Sequence, residues 1–335
     1  MGRRWYGKSF ACIFKKLIMI ILNKEQINKL VTMNEAIVAM KNAFVQLSNK
    51  EAIIPERLNT DVPGNNATSL VMPAYSLNNP YYIVKVVSVN YSNPQKGLPL
   101  IHSSVQVFDA SKGNMVATLD GESITAIRTG AASGLATDIL AKKDAKVGAI
   151  FGTGVQAKSQ VEALSVVKNL EKILVFSRTK ESAESFCNFI YDKFGIKANI
   201  GEKDLLKEAD VICTATPSEK PLFNHQDLNP GAHINAIGSF KPHMQEIGIE
   251  TVINSKVIVD NRETCKIEAG DLIIPAEEGQ WSFNLVHGEL GQVVLGEIPG
   301  RETDDEITLF KSVGNAIQDL ALANLIMEKI NHDSN

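Results

Sequence analysis

The chain has 335 residues, 44% of them apolar and 21% charged, and 34 basic against 38 acidic residues give it a net charge of -4. This composition is typical of a globular protein of about two domains, and the charge argues against a nucleic-acid-binding surface, which is usually basic. The four cysteines (Cys12, Cys187, Cys213 and Cys265) have no Cys-x-x-Cys spacing. The sequence therefore predicts neither a zinc site, nor any other metal site, nor a disulfide framework, and it favours reduced thiols in the cytoplasm.

Residues 1–18 contain basic residues and two short apolar patches, which raises the question of a targeting segment. Lys15 and Lys16 separate the patches, neither patch reaches the roughly 18 apolar residues of a membrane span, and no small-x-small cleavage site follows. We interpret this segment as an N-terminal extension rather than a signal peptide or membrane anchor. Met19–Leu22 is then the first predicted strand.

The next stretch predicts a helix followed by antiparallel strands. Asn23 resembles a helix start, and apolar residues recur at helical spacing at Ile37, Met40, Ala43, Phe44 and Leu47. From Thr68 the pattern predicts strands around a turn at 110–113. The predicted strands are Leu70–Met72, Tyr82–Val89, Ser103–Phe108 and Met115–Leu119. This part of the chain should form a largely antiparallel sheet.

After Ala145, short β-branched runs alternate with helical segments. The runs are Val147–Phe151, Ile173–Phe176, Val211–Thr214, Ile234–Ile237 and Val257–Val259. Such a rhythm is typical of a doubly wound parallel sheet buried on both faces, so the fold class is α/β. Residues Ile307–Ile330 return to helical periodicity.

The first of these runs leads into a turn of small residues, which are Gly152, Thr153, Gly154, Val155, Gln156 and Ala157. In a dinucleotide-binding βαβ unit, the first glycine of G-x-G-x-x-A permits a tight turn and the second lets the backbone approach a pyrophosphate. The helix that follows directs its first N–H groups at the phosphates. The sequence therefore predicts a dinucleotide site here.

A second segment, 120–137, joins the two parts of the chain. Arg128 and Thr129 open a run of small residues, and an arginine beside a hydroxyl suits a carboxylate or a phosphate. The alternative is that Arg128 is a surface arginine and the small residues only pack one helix against another.

Eight motifs in order resemble the ornithine cyclodeaminase/mu-crystallin family over nearly all of the chain from Met19. They are Val71–Ala74, Lys85–Val87, Lys96–Pro99, Leu119–Gly121, Arg128–Thr137, Gly152–Ala157, Ile237–Ser239 and Phe310–Gly314. The resemblance implies a Rossmann domain over 130–314 and a second α+β domain for substrate binding and dimerisation, formed by 19–129 plus 315–335.

The resemblance also implies roles for individual residues. Arg57 and Arg128 would hold a substrate carboxylate, and Lys85 would lie beside the reacting nitrogen or oxygen. Lys85 interrupts an apolar strand, where a buried lysine is costly unless it is paired or functional. Arg128, Thr129 and the glycine turn would hold the cofactor, with Ser312 and Gly314 near the nicotinamide.

Two positions depart from the cyclodeaminase pattern. Leu70 and Phe240 stand where the resemblance would place a glutamate and an aspartate, and apolar side chains can neither act as a base nor pair with an ammonium. The sequence therefore favours an NAD(P)H-dependent reductase of a cyclic imino acid, of the delta(1)-pyrroline-2-carboxylate or delta(1)-piperideine-2-carboxylate type, or of a related 2-keto or 2-imino acid. Phe240 would then form part of an apolar wall of the substrate pocket.

Three alternatives stay open. One is an ornithine cyclodeaminase with another base, such as His243 or Glu246, the second is an alanine dehydrogenase, and the third is a non-enzymatic NADP-binding protein resembling mu-crystallin. The cofactor prediction depends on Ser177, Arg178 and Thr179, which follow the second Rossmann strand. Because no acid stands there for a ribose 2′-hydroxyl, NADPH is favoured and NADH remains possible. The expected partners are a small imino or keto acid and a second copy of the chain, with no nucleic acid and no membrane.

Overall fold

The computed structural model describes residues 19–333, so the predicted extension at residues 1–18 lies outside the described residues. Its helices are α1 (Lys24–Leu30), α2 (Met33–Ser48), α3 (Gly121–Leu140), α4 (Val155–Val167), α5 (Lys180–Phe194), α6 (Ile249–Ile253), α7 (Arg262–Glu268), α8 (Gly270–Glu277), α9 (Leu290–Leu295) and α10 (Ala316–Asp333). Asn23 caps α1 by accepting a hydrogen bond from the backbone N–H of Gln26, as the sequence predicts.

The first sheet has seven strands in the described residues. They are β1 (Ile20–Leu22), β2 (Ala52–Ile53), β3 (Leu58–Val62), β4 (Ala67–Ser76), β5 (Tyr81–Asn90), β6 (Ile101–Asp109) and β7 (Met115–Asp120). Their order is β1-β7-β6-β5-β4-β2, with β3 also paired to β4. Only the β1–β7 pair among these is parallel, which confirms the largely antiparallel sheet.

One face of this sheet is covered by two helices. Side chains alternate across a strand, and in β5 the alternation turns Ile83, Lys85 and Val87 inward. Helices α3 and α10 pack on this sheet. A charged side chain in the middle of β5 is thereby enclosed between a sheet and two helices.

The second sheet is parallel throughout. Its strands are β8 (Val147–Phe151), β9 (Lys172–Phe176), β10 (Lys197–Ile200), β11 (Val211–Thr214), β12 (His233–Ala236), β13 (Lys256–Val259), β14 (Gly288–Glu289) and β15 (Thr308–Lys311), in the order β10-β9-β8-β11-β12-β15-β13-β14. Ala149 and Ile150, adjacent in β8, belong to two different hydrophobic clusters. Both faces are therefore buried, as the unbroken apolar runs predict.

The prediction of helix from Ile307 onward is wrong for residues 307–315. Thr308–Lys311 forms β15, which inserts between β12 and β13 with all four residues buried. A short apolar run fits helical and strand periodicity equally well, and its two pairing partners decided the outcome. The helix begins only at Ala316.

The two sheets are joined by α3, which contacts α2 and α10 on one side and α4, β12 and β15 on the other. The predicted boundary at 129/130 falls inside this unbroken helix, and the domain assignment stays a prediction.

Candidate active site

The turn after β8 has the geometry of a phosphate-binding turn. Gly152 has a φ of +103°, and an added Cβ would lie 2.6 Å from the carbonyl oxygen of Ala215, so both backbone and space require glycine. Gly154 is the N-cap of α4, and an added Cβ there would meet nothing within 4 Å. Gly154 thus leaves an open approach to the first N–H groups of α4, where an anion is stabilised.

A cleft of about 810 Å³ lies in front of this turn. Gly152, Thr153 and Gly154 line it on one side, and Ser177–Thr179 line it at the end of β9. A third wall, 215–218 after β11, was missed by the sequence analysis. The strand order reverses between β8 and β11. Because ligands of such sheets bind where the order reverses, the segment 215–218 could have been predicted as part of the site. The glycine turn and the size of the cleft fit a dinucleotide.

The other residues predicted at the cofactor lie beside this cleft. Val155 is exposed and Gln156 is partly buried at the start of α4, whereas Ala157 is fully buried in the core between sheet and helix. Thr129 is buried in α3, and its carbonyl accepts a hydrogen bond from Nε2 of Gln160 at 3.5 Å. Their contacts with a cofactor stay predictions.

At the far end of the cleft, Ser177, Arg178 and Thr179 are exposed. Thr179 is the N-cap of α5, and its Oγ1 accepts a hydrogen bond from the backbone N–H of Ser182 at 3.3 Å and donates to Oγ of Ser182 at 2.9 Å. Ser182 also lines the cleft. Thr179 thus caps the helix, whereas Ser177 and Arg178 have no such role, and the contact of all three with a cofactor stays a prediction.

Lys85 lies at the centre of the buried face of the first sheet and is 2% exposed. Its Nζ donates to Oγ1 of Thr125 on α3 at 2.6 Å and to Oδ1 of Asp319 on α10 at 2.8 Å. A buried ammonium requires such partners. Asp319, which the sequence analysis did not place in the site, is the fully buried counter-ion of Lys85.

The pKa of Lys85 is lowered to about 8, chiefly because burial penalises the charged form, while Asp319 opposes the shift and the charge of Arg128 adds to it. An amine with a pKa near 8 exchanges protons readily close to neutral pH. The side chain is therefore suited to proton transfer.

Arg128 is buried, which overturns the alternative of a surface arginine. Its Nη1 donates to Oε1 of Gln318 at 2.8 Å, and its Nε lies 3.6 Å from Oδ1 of Asp319. The small residues after it do pack helix on helix, since an added Cβ at Gly130 would lie 2.6 Å from the carbonyl oxygen of Ser159 on α4. The packing role of the small residues is therefore confirmed, and the binding of a carboxylate or phosphate by Arg128 stays a prediction.

Asp260, directly after β13, fixes the loop that carries Ser312 and Gly314. Its Oδ2 accepts hydrogen bonds from Oγ of Ser312 at 2.8 Å and from the N–H groups of Val313 and Gly314 at 3.1 Å and 2.7 Å. Gly314 has positive φ, and an added Cβ would lie 2.3 Å from Nη1 of Arg128. The sequence analysis missed Asp260, although its position at the carboxyl end of a parallel strand was a usable signal.

Arg57, in the segment between β2 and β3, reaches across to the second sheet's half of the molecule. Its Nε lies 2.9 Å from Oε1 of Glu268 at the end of α7, and its Nη2 donates to the carbonyl of Gly314 at 3.1 Å. Both side chains line a cavity of about 410 Å³, together with Met72 and Asn315. Met72 is the cross-strand neighbour of Lys85, and Gly314 contacts both arginines. The structure thus gathers Arg57, Lys85 and Arg128 around one region.

The two positions that depart from the cyclodeaminase pattern supply no carboxylate. Leu70 lies two residues before Met72, on the same face of β4, and packs against the core. Phe240 is 43% exposed in the loop after β12, and its predicted place in a substrate wall stays a prediction.

The two alternative bases are differently placed. His243 has an exposed side chain, whereas Glu246 is fully buried. The carboxylate of Glu246 accepts hydrogen bonds from Oγ1 of Thr214, from N–H and Oγ1 of Thr216, and from N–H of Gly238. Glu246 therefore holds together the ends of β11 and β12 and is saturated by the fold.

Neither a metal-binding cluster nor a membrane-spanning helix occurs in the part of the chain that the structure describes. No group of three or more His, Cys, Asp or Glu residues within 19–333 has the arrangement of a metal site. None of the helices in that range is both long and apolar enough to cross a membrane.

Comparisons with known proteins agree with this geometry. A model of the ornithine cyclodeaminase/mu-crystallin family matches residues 18–334. A delta(1)-pyrroline-2-carboxylate reductase of Bacillus cereus is 39% identical over 314 residues, which covers 93% of this chain and 96% of that protein.

Solved structures are similar over the same length. The delta(1)-pyrroline-2-carboxylate reductase of Thermococcus litoralis, in complex with NADH and L-proline, has a TM-score of 0.90 and 38% identity and covers 94% of this chain and 98% of its own. An archaeal alanine dehydrogenase dimer with bound NAD has a TM-score of 0.88 and 32% identity, with coverage of 95% and 97%.

Proposed function

The chain belongs to the ornithine cyclodeaminase/mu-crystallin family, and we propose that it is an NAD(P)H-dependent reductase of a cyclic imino acid, with delta(1)-pyrroline-2-carboxylate as the favoured substrate. The observation that carries this proposal is the buried Lys85, hydrogen-bonded between Thr125 and Asp319 beside Arg128. A lysine of lowered pKa next to an anion-binding arginine suits protonation of an imine whose carbon bears a carboxylate.

The roles of the side chains follow from their chemistry. Arg57 and Arg128 hold the substrate carboxylate, since an arginine fork binds two oxygens at once. Lys85 gives a proton to the imine nitrogen, and Asp319 keeps the lysine charged and oriented in a buried place. When bound, the dinucleotide supplies the hydride that the carbon accepts. Leu70 and Met72 give the Lys85 side of the first sheet an apolar surface that suits a hydrocarbon ring.

We propose NADPH as the preferred cofactor and NADH as the alternative. Ser177 and Arg178 at the open end of the cleft support NADPH, because hydroxyls and an arginine bind a 2′-phosphate. The T. litoralis reductase and the archaeal alanine dehydrogenase were solved with NADH and NAD, and these complexes support NADH as the alternative. An Arg178→Ala substitution should raise KM for NADPH roughly tenfold or more, since charge-assisted hydrogen bonds contribute about 1.5–3 kcal/mol, and leave KM for NADH little changed. Equal effects on both cofactors would contradict this assignment.

We further propose a homodimer in the cytoplasm. The dimer is supported by the similar archaeal alanine dehydrogenase, whose solved structure is a dimer. The location is supported by the free thiols of Cys187, Cys213 and Cys265 and by the need for a dinucleotide pool.

The test is a substrate screen with consumption of NADPH and NADH as the readout. It compares delta(1)-pyrroline-2-carboxylate, delta(1)-piperideine-2-carboxylate and pyruvate with ammonia. We expect the five-membered imine to give the highest kcat/KM. A dominant activity on pyruvate with ammonia would favour alanine dehydrogenase instead. Conversion of ornithine to proline and ammonia without external reductant would show a cyclodeaminase, and binding of NADPH without any turnover would show a mu-crystallin-like binding protein.

A further inference from the structure

Glu268 is a carboxylate in the substrate region to which neither sequence nor proposed function gives a role. It ends α7, its side chain is 15% exposed, and it lines the same cavity as Arg57. Oε1 pairs with Nε of Arg57 at 2.9 Å, but Oε2 is buried and has no hydrogen-bond partner within residues 19–333. A buried carboxylate oxygen without a donor is costly, so this atom needs an explanation.

The surroundings of Glu268 favour its neutral form. Its pKa is raised to about 7, first because burial penalises the charge and then because of nearby acids, while Arg57 opposes the shift. The charged groups that act on it from neighbouring segments are Arg57, Asp260 and Glu56. Its own helix also carries Glu263 and Lys266, which pair with each other. Only Arg57 among the groups acting from neighbouring segments is positive.

A substrate carboxylate at Arg57 would share the cation that stabilises the charged form of Glu268. Two carboxylates beside one guanidinium cannot both stay charged without penalty. A protonated carboxyl group, in contrast, has an O–H to donate, and a carboxylate is a good acceptor.

We propose that Glu268 is a substrate-binding residue that takes up a proton when the substrate binds and then donates a hydrogen bond from Oε2 to the substrate carboxylate. Oε1 keeps its contact with Nε of Arg57, so that the outer N–H groups of the arginine remain directed at the same carboxylate. The inference rests on the proposed function, because it takes a carboxylate at Arg57 as given. It makes the pocket selective for an anion and ties anion affinity to pH.

The test measures proton uptake when L-proline binds to the protein saturated with NADH, a combination that allows no hydride transfer. Calorimetry at pH 7 in two buffers of different ionisation enthalpy gives the proton count. A group with a pKa of about 7 is half protonated there, so we expect uptake of about half a proton per site. Between pH 6 and pH 8 the Kd of L-proline should rise about tenfold. Glu268→Gln should bind with almost no uptake and a nearly flat Kd over that range.

Glu277→Gln is the matched control, since it removes an exposed acid from the next helix, α8, away from the cavity, and it should keep the proton uptake of the parent. Uptake that persists in Glu268→Gln, or is absent in the parent, overturns the inference. Turnover of delta(1)-pyrroline-2-carboxylate by the parent is measured alongside. A parent that reduces the imine without taking up protons contradicts the role of Glu268 alone, whereas a parent that reduces no imino or keto acid contradicts the proposed function whatever the proton count.

Discussion

Burial of the Lys85 ammonium destabilises the fold, but it also lowers the pKa of Lys85 into the range that suits proton transfer. The alternation of β5 forces it inward, and burial would make its charge unstable without Asp319. The same burial lowers its pKa to about 8, which an exposed lysine would not show. At the residue scale, one side chain thus links the fold of the first sheet to acid-base chemistry.

Replacing Lys85 by methionine should remove the proton donor while keeping a side chain of similar length. We expect kcat for imine reduction to fall by about 10²–10⁴. Because Asp319 loses its partner, the protein should also lose stability, by about 3–5 kcal/mol for a broken buried pair. NADPH binding, followed by fluorescence, should persist in the folded fraction. Lys112→Met, in an exposed turn, is the control, and full turnover by a folded Lys85→Met protein would refute the role of Lys85.

The pH dependence of the two reaction directions should differ in sign. The lowered pKa means that Lys85 loses its proton above about pH 8, so kcat/KM for imine reduction should fall there by about tenfold per pH unit. Oxidation of L-proline needs the neutral amine as proton acceptor, so its kcat/KM should rise and level off above about pH 8. Steady-state rates from pH 6 to 10 check both limbs. A reductive rate that stays constant to pH 10 would exclude Lys85 as the donor.

At the scale of elements, the turn between β8 and α4 contains two glycines, Gly152 and Gly154, that lie in different surroundings. Gly152 is needed by the protein itself, because its positive φ and the nearby carbonyl of Ala215 admit no side chain. Gly154 faces open space, so the packing of the protein does not require a glycine there.

Alanine substitutions should therefore have different effects at the two glycines. Gly152→Ala should lower the unfolding free energy by more than about 1 kcal/mol, since alanine is strained at positive φ. Gly154→Ala should leave the thermal midpoint unchanged but raise the Kd of NADPH at least tenfold. Thermal unfolding with and without NADPH measures both quantities. Equal losses of stability in the two variants would show that Gly154 is also structural.

The end of β15 shows how an element can be decided by its neighbours. Thr308–Lys311 is extended because β12 and β13 leave a gap for one strand between them. The loop after it then meets the carboxylate of Asp260, which holds Ser312 and Gly314 in place against Arg128. An arrangement that the local sequence does not predict thus brings the last loop to the substrate region.

At the scale of the molecule, the proposed substrate region around Arg57, Lys85 and Arg128 lies between the two sheets, and Arg57 and Glu268 approach it from opposite sides. The first sheet also ends in β3, whose five residues are all exposed, including Leu58 at 66%. An exposed apolar residue on an edge strand is a candidate contact between subunits.

Light scattering should give twice the mass of the chain for the parent protein. Leu58→Asp should shift the protein toward the monomer, because a buried charge at an interface is costly. Val38→Asp replaces an apolar residue of α2 that is 54% exposed, and it should remain dimeric as the control. A parent that is monomeric at all concentrations would contradict the dimer, and a dimeric Leu58→Asp protein would place the interface elsewhere.

Strong local signals were enough to predict several elements from the sequence. Hydrophobic runs and the G-x-G-x-x-A turn specified the parallel sheet and its cleft, because period and glycine spacing are local properties. The interruption of an apolar strand by Lys85 indicated a lysine that is paired or functional if it is buried. The resemblance to the family implied that Arg57, Lys85 and Arg128 act on the same substrate.

The surroundings of Arg57, Lys85 and Arg128 depend on how distant parts of the chain pack together. Asp260 precedes α7, Glu268 ends α7 and Asp319 lies on α10, and apart from the position of Asp260 at the end of a parallel strand, none carries a sequence signal that distinguishes it from an ordinary surface acid. Their burial, and with it the lowered pKa of Lys85 and the raised pKa of Glu268, arises when two sheets and α10 pack together. The physical reason is that desolvation and charge pairing depend on distances across the fold, which no local pattern records.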